Sequence, residues 1–123
     1  LPPEMSLPRR CRQWDIYKAN LGEAQDAWVL VLSSTQTNEI LDSTVIACEI
    51  VPEQVQRLLP SPLNLPAKPE DTGLEWPAAV SVMTLASIPR NCLVSLEGRL
   101  EPINLRTAAI KGLNILVGAE RWP

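Results

Sequence analysis

With 123 residues, 46% of them apolar and 20% charged, the chain has the length and composition of one folded domain and lies far from the polarity of a disordered one. A net charge of −3 and a pI near 4.9 exclude a surface that attracts phosphate everywhere, so any nucleic-acid contact has to be local. The absence of histidine removes the commonest general base, the commonest metal ligand and every Ser-His or Cys-His triad.

Twelve prolines punctuate the chain, clustered at Leu1 to Pro8 and again at Pro52 to Pro77. Residues 1–11 read as a flexible, extended lead-in, because X-Pro pairs disfavour helix and nothing there alternates. The first strand is expected at Trp14 to Ala19, closed by the turn Asn20-Leu21-Gly22. Ala27 to Ser33 and Thr44 to Ile50 are nearly continuous apolar runs, as in central strands buried on both faces. Pro52 opens and Pro60 ends two expected helical turns at Glu53 to Leu59. A long irregular connection follows, broken by the short extended piece Leu63-Asn64-Leu65. Strands are then expected at Pro77 to Ala86 and Val94 to Leu100. From Glu101 the period changes: Leu105, Ala109, Leu113, Leu116 and Val117 share one helical face, and Gly118 sits where a left-handed cap ends the helix near Val117. Residues 12–118 therefore form one domain, with 119–123 a tail. The class is mainly β with α: a small, SH3-like, partly closed β-barrel of five to seven strands with a C-terminal amphipathic helix.

Three cysteines, Cys11, Cys48 and Cys92, stand far apart with no CxxC pair, which suggests neither a disulfide framework nor a thiolate zinc site and fits a reducing cytoplasm. The longest apolar run, Ala27 to Leu32, is six residues against the roughly 18 to 20 of a membrane helix, and Leu1 to Arg12 has no apolar signal core. Catalytic chemistry falls to carboxylates, Lys and Arg. Asp15 and Glu49 interrupt strands, and each must face solvent, find a partner or carry function; a solvated strand face is the simplest expectation. Glu23, Asp26 and Glu39 lie in expected loops. Arg9, Arg10 and Arg12 surround Cys11, either as a local phosphate contact or as a solvated arm. In a buried strand Cys48 is a small hydrophobe, whereas Cys11 among arginines could carry a lowered pKa. Trp14, Trp28 and Trp76 read as core or interface anchors. Trp122, in the tail, is folded back or offered to a partner.

Arg12-Gln13-Trp14-Asp15-Ile16-Tyr17, with Ala19, Leu21 and Gly22, resembles the opening strand of MazF/PemK toxins, whose pattern is roughly RRGDIYWVDLG. Val29 to Ser33 resembles their second strand and Thr44 to Ala47 their third. Gly73-Leu74, Val80, Ser87 to Arg90, Leu93, Gly98 and Leu100 follow their later pattern, and Leu113 to Gly118 is similar to their closing helix. The resemblance implies the CcdB/MazF toxin fold and a homodimeric toxin that pairs with a cognate antitoxin. It also implies RNA cleavage by the 2′-hydroxyl without metal or cofactor, an Arg and a Thr or Ser standing at the scissile phosphate. In this chain the family Arg falls on Ala27, the Pro after it on Trp28, the Thr ending the third strand on Val51, and an acid or amide on Met83. Asp15 and Glu23 keep acidic character and Ser87 stands at a family Thr, so these three are the catalytic candidates. Loss of a cation and a hydroxyl implies weak or lost activity. An alternative follows from Met83 to Pro89, which is similar to a stretch of the CcdB gyrase poisons; with Trp122 it implies DNA gyrase as partner. A third is an inactive antitoxin-binding or scaffold module. In the toxin reading itself, an acidic antitoxin segment lies across the dimer groove, where Arg12, Arg90 or Arg99 pairs with its carboxylates.

Overall fold

Apolar side chains on both faces of β2 and β3 require cover on both sides, and the fold supplies it from one sheet with two cores. The structure, a computed structural model, describes residues 11–22, 25–55 and 61–121. Six strands, β1 (Asp15–Ala19), β2 (Ala27–Val31), β3 (Thr44–Pro52), β4 (Asn64–Ala67), β5 (Ala78–Pro89) and β6 (Leu93–Arg99), form an antiparallel sheet in the order β4-β5-β3-β2-β1-β6. One core holds Trp14, Ile16, Leu30, Cys48, Ile50, Val80 and Val82, against which Leu105 and Leu113 of helix α3 (Ile103–Leu116) pack. The other holds Cys11, Tyr17, Val29, Val31, Val45, Ala47, Ile88 and Leu93.

The sheet curls without closing. Beyond β4 the short helix α2 (Pro69–Thr72) reaches the far edge strand, where the Glu101 N–H donates to the Asp71 carbonyl at 3.0 Å. Gly98 of β6 lies so close to the Thr72 carbonyl that a side chain there would overlap it, so glycine is required for the two ends of the sheet to approach.

Several expectations need correction. The stretch after β2 is a helix, α1 (Thr35–Leu41), which no apolar period announces; its start is capped by the Ser34 hydroxyl, which accepts the Thr37 N–H at 3.1 Å. Of the helical turns expected at Glu53 to Leu59, Glu53–Val55 form a single 3₁₀ turn, and residues 56–60 lie outside the described residues. Helix α3 starts at Ile103 and stops before Gly118, whose φ of +82° is the left-handed cap expected. Its buried face is Ala109, Gly112 and Ile115, flanked by Leu105 and Leu113, while Leu116 and Val117 are exposed; the contact is rotated about the helix axis toward Gly112, which lies against the Pro62 carbonyl. Residues 1–10 of the lead-in, with Arg9 and Arg10, lie outside the described residues, as do Glu23 and Trp122, whereas Cys11 at its end is buried in the second core rather than flexible.

β5 is not the plain strand its sequence suggests. Its ladder with β3 runs Thr44↔Pro89 to Ala47↔Ala86, then resumes at Glu49↔Ser81, so Cys48 alone opposes Val82 to Leu85. This bulge is stitched by Thr84, whose hydroxyl accepts the Glu49 N–H and donates to the Ser81 carbonyl, both at 2.7 Å. Met83, between them, is left 51% exposed.

Candidate functional site

Cross-strand register brings two of the expected site positions together. Ala19 of β1 is opposite Ala27 of β2, and Trp28 is opposite Ile50 of β3, so the next step of that register sets Ala27 beside Val51. Val51 in turn faces Ala79 of β5. Four neighbouring strands thus lay Ala19, Ala27, Val51 and Ala79 in one row. At the two positions where the resemblance places an Arg and a Thr, the chain has half-buried apolar groups side by side. This row has neither a positive charge nor a hydroxyl to hold an extra negative charge on phosphorus.

The adjoining row runs Tyr17, Val29, Glu49 and Ser81. Glu49 is half-buried here rather than fully solvated, its backbone held by Thr84. The Tyr17 hydroxyl is buried without a hydrogen-bond partner among the described residues. Burial first, and the neighbouring Cys11 second, push its ionisation far above the ordinary phenol range.

Asp15 does not lie on a solvated face. It is 1% exposed, and its carboxylate accepts Arg99 Nη1 at 2.7 Å, the Arg12 backbone N–H at 3.2 Å and Arg12 Nη2 at 3.5 Å. The reason is local: Arg12 to Asp15 form a tight turn with Trp14 in the left-handed region (φ 78°), which directs Asp15 into the β1–β6 seam, where Arg99 meets it. Arg99 also lies 3.9 Å from Glu101, which pairs with Arg106. Of the three arginines considered for a partner's carboxylates, Arg12 and Arg99 are therefore already engaged at Asp15, and Arg90 too has an interaction within the chain.

The catalytic candidates do not converge. Asp15 lies four residues along β1 from Ala19, about 13 Å from the Ala27 row by strand rise. Ser87 is exposed opposite Ile46, five residues along β3 from Val51, about 16 Å away. Glu23 lies outside the described residues. Among the thiols, Cys48 is buried in its strand, where desolvation pushes its pKa up to about 12. Cys11, 2% exposed, is enclosed in the second core rather than presented among arginines. No three acidic or thiol groups among the described residues converge as a metal-ligand set, and no helix among them is long and apolar enough to cross a membrane.

A feature with no signal in the sequence is the meeting of Trp28 and Trp76, 48 positions apart. Their rings pack edge-to-face at 5.4 Å between centroids, and Lys18 Nζ stands 5.7 Å from the Trp28 ring.

No family model matches the chain, and no curated protein matches it in sequence. Solved structures do match. A mycobacterial endoribonuclease, solved in complex with its cognate antitoxin, superposes with a TM-score of 0.72 at 18% identity over 92% of this chain and 99% of that one. The Mycobacterium tuberculosis toxin MazF-mt6 gives 0.67 at 19% identity over 85% and 96%. MazF from Deinococcus radiodurans gives 0.63 at 18% identity over 87% and 94%. A curled antiparallel sheet with its closing helix, matched over nearly the whole length of each, gives this chain the fold of the MazF toxins.

Proposed function

We propose that the chain is a divergent MazF-like toxin that forms a homodimer, binds a cognate antitoxin in the cytoplasm, and has weak or no ribonuclease activity. One observation carries this reading: within a MazF fold, the register sets Ala27 beside Val51, the positions at which the resemblance requires a cation and a hydroxyl. Fold and partner surfaces survive such replacements, because they rest on apolar burial. Phosphate chemistry does not, because removing one oxyanion-stabilising group typically costs 10² to 10³ in rate. Asp15 does not compensate, being held by Arg99 and Arg12 in the β1–β6 seam.

An antitoxin partner is supported by the mycobacterial endoribonuclease, which was solved with its own. Exposed apolar side chains, among them Met83 on the bulge and Val94 and Leu96 on β6, offer contact surface, and Met83 keeps the gyrase-poison alternative open to test. Sedimentation, and co-expression with the product of a small reading frame adjacent to the gene, test the proposal. A dimer that co-purifies with that product is expected. A stable 13.6 kDa monomer that takes no such partner contradicts it.

A further inference from the structure

The Trp28–Trp76 pair forms the wall of a cleft that nothing in the ribonuclease or antitoxin reading uses. Gly73 (φ +80°) ends α2 and reverses the chain, Leu74 anchors it in the first core, and Glu75 and Trp76 are thereby carried up beside Trp28. Leu96 and Glu97 of β6 close the opposite side, leaving an open volume of ≈ 360 Å³. Its rim carries two carboxylates, Glu75 and Glu97, and none of its lining residues is basic. Glu97 accepts a hydrogen bond from the Ser95 hydroxyl at 2.9 Å, whereas Glu75 makes no hydrogen bond or ion pair among the described residues.

We infer that this cleft receives the side chain of an arginine presented by a partner protein segment, its guanidinium stacked on one of the two indoles, whose planes stand at 79° to each other, and paired with Glu75. Two independent features point the same way. The aromatic faces attract a cation, as the chain's own Lys18 ammonium over Trp28 demonstrates. The carboxylates then set the sign of the ligand, repelling phosphate and so disfavouring a stacked nucleotide. Between cations, a guanidinium is planar and weakly hydrated, so it can lie on a ring and present two N–H groups to a carboxylate, which an ammonium cannot. Lys18 stands in the same cross-strand row as Trp28 and Ser95, its ammonium 5.7 Å from the Trp28 ring, where it competes for that ring with an incoming cation. The inference is independent of the proposed toxin function.

The test uses the whole chain and the blocked tripeptide Gly-Arg-Gly, with Gly-Lys-Gly and Gly-Gln-Gly as comparators, read by the indole N–H resonances of Trp28 and Trp76. A saturable shift with the Arg peptide is expected, weaker with Lys and absent with Gln. Glu75→Gln is expected to weaken Arg binding by roughly two- to fivefold. Lys18→Met, which keeps the apolar stem but removes the competing charge, is expected to strengthen it by a similar factor. Equal shifts with all three peptides, or none up to the solubility limit, overturn the inference. So does weakening by Lys18→Met, or a single-stranded RNA that shifts the same indoles while the Arg peptide does not.

Discussion

Replacing Asp15 with Asn keeps the shape of the side chain and removes its charge, which makes it the sharpest probe of the β1–β6 seam. The carboxylate is 1% exposed and receives Arg99 at 2.7 Å, while Arg12 approaches only to 3.5 Å and its side chain is 54% exposed. Arg12 therefore adds little through its guanidinium, since exposed pairs contribute about 0 to 1 kcal/mol. Breaking a fully buried pair costs about 3 to 5 kcal/mol and losing one charge-assisted hydrogen bond about 1.5 to 3. Because the Arg99 side chain keeps 26% of its surface in water, its charge is partly rehydrated when Asp15 is neutralised, and the expected loss is nearer 2 kcal/mol. At about 4 °C per kcal/mol for a chain of this length, Tm should fall by about 8 °C. Circular dichroism melts of Asp15→Asn, Arg99→Met and the double variant give the coupling. A single variant that melts within 2 °C of the parent, at the level of about 0.5 kcal/mol, refutes the structural role. If it melts normally yet abolishes an RNA-cutting activity of the parent, Asp15 is catalytic after all.

Gly98→Ala forces a methyl group onto the Thr72 carbonyl and should cost about 2 kcal/mol or more in urea unfolding; an unchanged midpoint would show that the sheet ends do not meet there. Native thiol titration at pH 8 should modify Cys92 well before Cys11 and Cys48, which are buried, with all three reacting only in denaturant. The Cys48 pKa is raised from 9.0 to about 12, so its stabilising effect is complete below pH 9 and is lost as pH rises toward 12. Tyr17 acts in the same sense above its ordinary value, and the urea midpoint should therefore fall between pH 8 and pH 10.5. A midpoint that rises over this interval contradicts the burial of both groups.

Central strands and the closing helix were legible in the sequence because their signals are local. Continuous apolar runs announce β2 and β3, and a 3.6-residue stripe ending at Gly118 announces α3. What was not legible depends on partners far along the chain. The residues of α1 have no apolar stripe, and the helix is fastened instead by buried Asn38, whose amide donates to the Cys11 carbonyl at 2.8 Å and to the Ser33 carbonyl at 3.1 Å. Asp15 reads as a solvated strand residue until Arg99, 84 positions later, arrives beside it. The bulge in β5 is hidden because Val82 to Leu85 have ordinary strand propensity, and only the register with β3 exposes the excess residues. At the site, that Ala27 and Val51 stand at the positions of an Arg and a Thr was legible from alignment with a known pattern, whereas their juxtaposition needed the β2–β3 register and the Trp28–Trp76 cleft the curl of the whole sheet.

The central claim is that apolar residues at Ala27 and Val51 have removed phosphate chemistry from a MazF fold. It is tested most directly by incubating a long RNA with the purified protein in chelator, beside the double variant Ala27→Arg, Val51→Thr, and mapping cut sites by primer extension. The parent should leave the RNA intact or cut it at least about 10²-fold more slowly than the variant, which regains a cation and a hydroxyl in adjoining positions. Defined, metal-independent cutting by the parent at a rate that the double substitution does not raise contradicts the claim.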